Sequence, residues 1–300
     1  MVKSTKSAYF YALLALFSWG TVYVVGKYVL ASVPPFVVTA CRYALAVVLL
    51  SVLLRRTPHT RIARKDFPKV LLVAVLGYFL SMNLQFLGTK LTNASVSSLI
   101  NSMNPVFITL FAVLLLGEQL TRGRLASLAL SLAGVWLVVG GTRGAARPLG
   151  VACALGAMLC WALMSVLMRR LTAHYDALSL TRICLVIGGL LTAPLSVWSY
   201  ITAPRTDWSW GLVAGLLFLG LFGTAIGNLC WNRALSVLEA STCSLFYPVM
   251  PLTSVVGGAL FLDEPVTPRL VLGAALIAGG VIVGVLHGQK TTQTKAPCFR

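Results

Sequence analysis

Ten apolar runs of about twenty residues follow one another along the chain, near 8–30, 36–54, 70–90, 94–116, 124–141, 149–170, 177–200, 211–232, 240–262 and 269–287. Coiled as helix at about 1.5 Å per residue, a run of that length matches the roughly 30 Å hydrocarbon core of a bilayer. Inside lipid every backbone N–H and C=O needs a protein partner, which a helix supplies from its own turns. The runs therefore predict an all-α polytopic membrane protein with ten transmembrane helices. Apolar side chains make up 58% of the 300 residues and charged ones 10%, where a soluble domain carries about 25% charge. That balance excludes a soluble globule, a disordered chain and a disulfide-stapled scaffold. The first run outlasts a signal-peptide core and lacks a small-x-small cleavage site after Trp19 and Gly20, so it is expected to be retained.

The net charge of +17 would point to nucleic acid if the cations shared one face. They sit instead between the apolar runs, and no nucleic-acid partner is expected. With both termini on one side, that side carries 16 of the 24 Lys and Arg, those of the connector from Arg55 to Lys69 among them, against six on the other. The positive-inside rule then predicts cytoplasmic termini. Cys41, Cys153, Cys160, Cys184, Cys230 and Cys243 lie in apolar runs and Cys298 in the tail. Without a C-x-x-C pair or a Cys/His cluster they read as small buried hydrophobes, and neither metal nor cofactor is expected.

The chain also repeats itself. Ala94-Ser95, Ser98-Leu99, Pro105, Leu114, Glu118, Thr121 and Gly134-Val135 recur 146 positions later as Ala240-Ser241, Ser244-Leu245, Pro251, Leu260, Glu264, Thr267 and Gly280-Val281. Earlier spans match more loosely: Trp19 and Lys27 meet Trp161 and Arg169 at an offset of 142, and Arg42 meets Arg182 at 140. Five spans per half is an odd number, so the second half enters the membrane inverted. The expected division is 1–145 for the first repeat, 146–288 for the second and 289–300 for a cytoplasmic tail. Inverted repeats about a midplane site are the architecture of alternating access.

The stretch NASVSSLINSMNPVFITLFAV at 93–113 with LLLGEQLT after it, and EASTCSLFYPVMPLTSVVGGALFLDEPVT at 239–267, resemble the two signature regions of the drug/metabolite transporter superfamily, EamA type. Trp19-Gly20 and the Pro35 to Arg42-Tyr43 start of the second span are similar to it as well. The resemblance implies a central cavity, a small-molecule substrate, metabolite or amino-acid export, and a bacterial inner (plasma) membrane. It leaves the substrate open.

No H-E-x-x-H, G-x-S-x-G or P-loop pattern is present, so an enzyme is not supported. Every Asp and Glu falls in a connector or at a span end, which disfavours a carboxylate-centred proton relay. Uncharged polar and aromatic groups are the candidates for substrate binding. Asn101 and Asn104 share a face of span 4, with Pro105 breaking a backbone bond beside them. Tyr247, Pro248 and Pro251 mark the equivalent face of span 9. Trp19, Trp161 and Trp231 lie deep in their spans, Tyr23 one turn from Trp19, and Asn228 and Asn232 within four residues of Trp231; Asn83 is similarly placed. Core packing and cavity lining both fit these residues. Lys27, Arg42, Lys90 and Arg182 are near enough to span ends to snorkel, or to form an anion site if two converge. Glu118 and Glu264 are expected to cap the helices that follow them, with Thr121 and Thr267 as N-caps. The resulting expectation is a secondary transporter exporting small polar or zwitterionic metabolites such as amino acids. A passive channel or facilitator for small neutral solutes is the alternative, and a homo-oligomer is left open.

Overall fold

The structure, a computed structural model, describes residues 5–55, 62–91, 100–101, 103–139, 148–203, 206–247 and 249–250, and beyond them 253, 268, 271–273, 275–276, 278–280 and 282–283. Among these there is no strand. The helices are α1 (Thr5–Leu30), α2 (Pro35–Arg55), α3 (Phe67–Val73), α4 (Met82–Leu91), α5 (Asn104–Leu116), α6 (Arg122–Val139), α7 (Pro148–Leu171), α8 (Ala177–Thr202), α9 (Trp210–Phe218), α10 (Gly227–Leu235) and α11 (Ala240–Ser244). Among the described residues five rods are both long and apolar enough to cross a membrane: Pro35–Arg55, Arg64–Gly88, Pro148–Leu171, Ala177–Thr202 and Trp210–Leu235.

Local chemistry sets the helix ends. The Asp176 carboxylate accepts from the Ser179 N–H at 3.1 Å to open α8, and the Ser209 hydroxyl accepts from Leu212 N–H at 3.3 Å to open α9, each satisfying an orphan donor of a first turn. Gly117 ends α5 at φ +66. Its N–H returns to Val113 O and that of Glu118 to Ala112 O, the bond pair that a left-handed glycine makes possible.

Two rods are interrupted in the same way. A π-helical segment, Ala74–Ser81, joins α3 to α4, and another, Leu219–Ile226, joins α9 to α10. Both span eight residues, and the second starts and ends 145 positions after the first, 74 to 219 and 81 to 226. A π turn widens the helix and redirects the side chains beyond it.

Early and late parts of the chain interleave. α2 packs along α8, α4 along α7, and α1 along α10. Residues 31–34 and 206–209 meet at one end, where the Thr206 hydroxyl donates to Ser32 O at 3.1 Å. Connectors 62–66, 117–121, 172–176 and 236–239 belong to the opposite end. Phe10, Val48, Leu114, Trp136, Leu190 and Ile201 are exposed on the outer face, as a lipid-facing surface requires. Trp198, Tyr200, Trp208 and Trp210 are exposed around the first end, where amphipathic rings mark a membrane interface.

Two expectations are corrected, for Pro105 and Glu118. Pro105 does not break a helix from within: it stands in the first turn of α5, where its missing N–H has no intrahelical partner to lose. The ninth span opens with a short helix. α11 is five residues long, and the chain then tightens, Phe246, Tyr247, Val249 and Met250 each bonding to the carbonyl three residues earlier. Glu118 does not cap the helix that follows it. Its carboxylate takes the Ala240 and Ser241 N–H groups at 2.8 and 3.1 Å, across 122 and 123 positions of sequence. Thr121 does cap α6, accepting from Arg124 N–H at 3.3 Å. Glu264, Thr267, Pro248, Pro251 and the tail from 289 lie outside the described residues, as do the side chains of Tyr23, Lys27 and Lys90.

Candidate functional site

A cavity of about 1210 Å³ opens at the end where residues 31–34 meet Thr206 and Asp207. Ala31, Ser32 and Asp207 form its exposed rim, and its walls run inward past Arg42, Gln85 and Phe86. Six of the sequence candidates line it: Trp19, Asn101, Asn104, Trp161, Asn228 and Tyr247. Asn101 and Tyr247, equivalent positions of the two signature regions, thus face one space.

The floor is aromatic. Trp19 stacks edge-on against Trp161 with ring centres 5.4 Å apart, and Trp231 meets Trp19 at 5.6 Å and Tyr247 at 5.4 Å. The Trp161 indole N–H donates to the Tyr247 hydroxyl, and that of Trp19 to Gly223 O at 3.1 Å. Gly227 has to be a glycine for this packing, because a Cβ there would lie 2.6 Å from Trp19 Nε1.

The second π-helical segment supplies the polar wall. Carbonyls of its last turn, Phe222, Gly223 and Thr224, accept side-chain bonds from Ser18, Trp19 and Asn228. The Thr224 hydroxyl donates to Leu219 O at 2.8 Å and accepts from Arg42 Nε at 2.9 Å. Arg42, 8% exposed, also lies 5.8 Å from the centre of the Phe86 ring. Arg42 therefore lines the cavity rather than reaching for the interface. Arg182 does not line it and donates its Nε to Ser51 Oγ at 2.7 Å.

Asn83, Trp231 and Asn232 do not line the cavity. Asn83 donates to Phe79 O and to the Thr192 hydroxyl, and Asn232 to the Tyr78 and Thr181 hydroxyls. Trp231 is fully buried beneath the other rings. Burial side by side with Asn228 in sequence hid the fact that α10 turns only Asn228 outward to the cavity.

At the opposite end charged side chains tie the connectors together. Arg124, 1% exposed, pairs with Glu239 and donates to the Thr242 hydroxyl at 3.0 Å and Gln119 O at 2.6 Å. Glu118 holds the Ala240 and Ser241 N–H groups and the Ser241 hydroxyl beside it. At the same end the Tyr175 hydroxyl donates to Asp66 at 2.7 Å, and this bond to a carboxylate raises the Tyr175 pKa above its ordinary value. Among the described residues no three His, Cys, Asp or Glu side chains come together to hold a metal.

An all-helical, lipid-faced chain around a cavity open at one end has the form of a membrane transporter. The chain belongs to the EamA-like transporter family, which matches it twice, over residues 6–140 and 148–286. It is similar to an uncharacterized transporter of Archaeoglobus fulgidus, 28% identical over 89% of this chain and 94% of that one. It is also similar to the S-adenosylmethionine/S-adenosylhomocysteine transporter of Chlamydia trachomatis, 29% identical over 91% of this chain and 87% of the relative. A solved crystal structure shares the fold, with a TM-score of 0.80 at 22% identity over 96% of this chain and 99% of that chain.

Proposed function

We propose that this transporter is a secondary exporter of small polar or zwitterionic metabolites, amino acids among them, working by alternating access. Ten spans in two inverted five-helix repeats, 1–145 and 146–288, form it, with both termini and the tail 289–300 in the cytoplasm of a bacterial cell. The observation that carries the reading is the cavity itself: its aromatic and amide walls open at one end, while at the other Arg124, Glu118 and Glu239 tie the connectors together. We read these ties as a closed gate, which a pore open to both sides would not need. The doubled family match and the paired π-helical segments support the two-repeat layout. The cargo named for the Chlamydia trachomatis relative supports the substrate class, because S-adenosylhomocysteine ends in a zwitterionic amino acid.

Counterflow in proteoliposomes tests this. Unlabelled amino acids or S-adenosylhomocysteine inside should accelerate uptake of the labelled compound, as a carrier cycling between two states requires. Uptake without trans-stimulation would replace the carrier with the passive facilitator.

A further inference from the structure

We propose that a second pocket, between the start of α3 and the end of α7, binds the head group of an anionic phospholipid. Lys65, Lys69 and Arg170 take its phosphate, and Leu72 and Leu167 lie along the first carbons of its acyl chains. The pocket is at the end away from the cavity mouth and shares no lining residue with the cavity. It requires a chain that spans a bilayer and assumes nothing about cargo or direction.

Three observations carry it. First, both walls of the pocket, which has a volume of about 810 Å³, change character in step. Each belongs to a rod long and apolar enough to cross a membrane, Arg64–Gly88 and Pro148–Leu171. One rod begins here and the other ends here, so Lys65 and Lys69 precede Leu72, whereas Leu167 precedes Arg170. Leu72 and Leu167 thus stand about 4–5 Å deeper than Lys69 and Arg170, at the helical rise of 1.5 Å per residue. Leu72 is also exposed, as a lipid-facing side chain must be. A phospholipid has the same order, phosphate outside and hydrocarbon within; a soluble anion would use only the outer half.

Second, the charge is in excess and of one sign. Three cations, with His174 beside them, line the pocket together with a single carboxylate, Asp66. That carboxylate is occupied: Oδ1 accepts from Lys69 Nζ and Oδ2 from the Tyr175 hydroxyl, both at 2.7 Å. An ammonium group has three donors, so Lys69 can serve a phosphate as well. Among the described residues no carboxylate pairs with Lys65 or Arg170, and Arg170 donates to a neutral group, Leu115 O.

Third, the end of α7 does not present bare carbonyls, which would repel an anion. Met168 O accepts from Thr172 N–H at 2.9 Å and Arg169 O from the Thr172 hydroxyl at 3.1 Å. Arg170 O accepts from His174 Nδ1 at 3.3 Å, and Leu171 O from the N–H groups of His174 and Tyr175 at 3.0 and 2.9 Å. A basic pocket between the ends of two spanning helices is where a bilayer offers its anionic head groups.

The test titrates delipidated full-length protein in non-ionic detergent and counts bound lipid by native mass spectrometry. Wild type should bind dioleoylphosphatidylglycerol about tenfold or more tightly than dioleoylphosphatidylcholine. Lys65→Gln combined with Arg170→Gln should bring that ratio to within about twofold. Arg55→Gln combined with Arg122→Gln removes as much charge from exposed positions off the pocket and should keep the preference. Glycerol 1-phosphate, a head group without acyl chains, should fail to displace the lipid at about a hundredfold excess. Equal binding of the two lipids by wild type overturns the site without any variant having to fold. Equal loss in the two double variants overturns it too, since bulk charge would then suffice. Displacement by glycerol 1-phosphate or inorganic phosphate would make the pocket a site for soluble anions and end the lipid assignment. Each of these failures leaves the transporter reading standing, because no cargo enters the measurement.

Discussion

Asn83 and Asn228 make the same bond at corresponding places in the two rods: each donates its amide to the carbonyl four residues earlier, Phe79 and Thr224, at 2.8 Å, just past a π-helical segment. Their surroundings differ. Asn83 also donates to Thr192 on α8 at 3.1 Å, away from the cavity, whereas Asn228 lines it.

The two should therefore separate in function. Asn83→Ala removes a bond between helices in a dry interior and should lower unfolding stability by about 1–2 kcal/mol, with counterflow per folded molecule kept. Asn228→Ala should cut counterflow while thermal unfolding shifts less, because water in the cavity can reach what the substitution exposes. Equal losses of stability and transport in both variants would show that the pair has only a packing role.

The spans were legible because a helix in lipid needs about twenty apolar residues, and no soluble fold tolerates so many in sequence. The π-helical segments were not, since a single widened turn leaves no compositional trace in LGLFGTAI or AVLGYFLS. Side-chain direction was the main thing missing. Arg42 and Arg182 are both within reach of a span end, so chain position alone gives them the same role, and only packing shows one in the cavity and the other on Ser51. The bonds from Glu118 to Ala240 and Ser241 join groups more than a hundred residues apart, which local capping rules cannot anticipate.

The closed end should open when its charges are removed. Glu239→Gln leaves Arg124, 1% exposed, without its carboxylate partner, and an uncompensated buried cation costs about 3–5 kcal/mol, less here because the Glu239 side chain is 35% exposed. That cost falls on the state in which the cluster is assembled. Cys243, buried in α11 next to Thr242, should then react faster with a maleimide, in a background where the other cysteines are replaced. An unchanged rate in folded protein would deny the cluster a gating role.

Gly227→Ala should disturb the cavity floor. Its methyl would lie 2.6 Å from Trp19 Nε1, forcing the ring away from Gly223 O. Overpacking of this kind costs about 1–3 kcal/mol, and indole fluorescence should shift as Trp19 leaves its neighbours Trp161 and Trp231. Identical spectra and melting temperature would mean that the rod moves instead of the ring.

Membrane orientation has a direct check. Thr206→Cys, at the cavity mouth, should be labelled by an impermeant maleimide from outside intact cells. Thr60→Cys, in the connector rich in Lys and Arg, should be labelled only after the membrane is opened. The reverse pattern would turn the molecule over and make the cavity face the cytoplasm.

The last prediction concerns the arginines at corresponding places in the second and seventh apolar runs. Arg42 faces the cavity and bonds Thr224, while Arg182 packs on Ser51 of α2. If the two repeats exchange conformations, the state open at the other end should turn Arg182 to its cavity and draw Arg42 into packing. Arg182→Gln should then leave equilibrium binding to the present state near wild type, since Arg42 is untouched, yet slow counterflow by about tenfold as substrate loses its charged contact in the opposite state. Arg42→Gln should impair both measurements. Glutamine can still bond Ser51, so the loss in Arg182→Gln would report the charge rather than the helix contact. Wild-type counterflow in Arg182→Gln would show that the two arginines do not trade places.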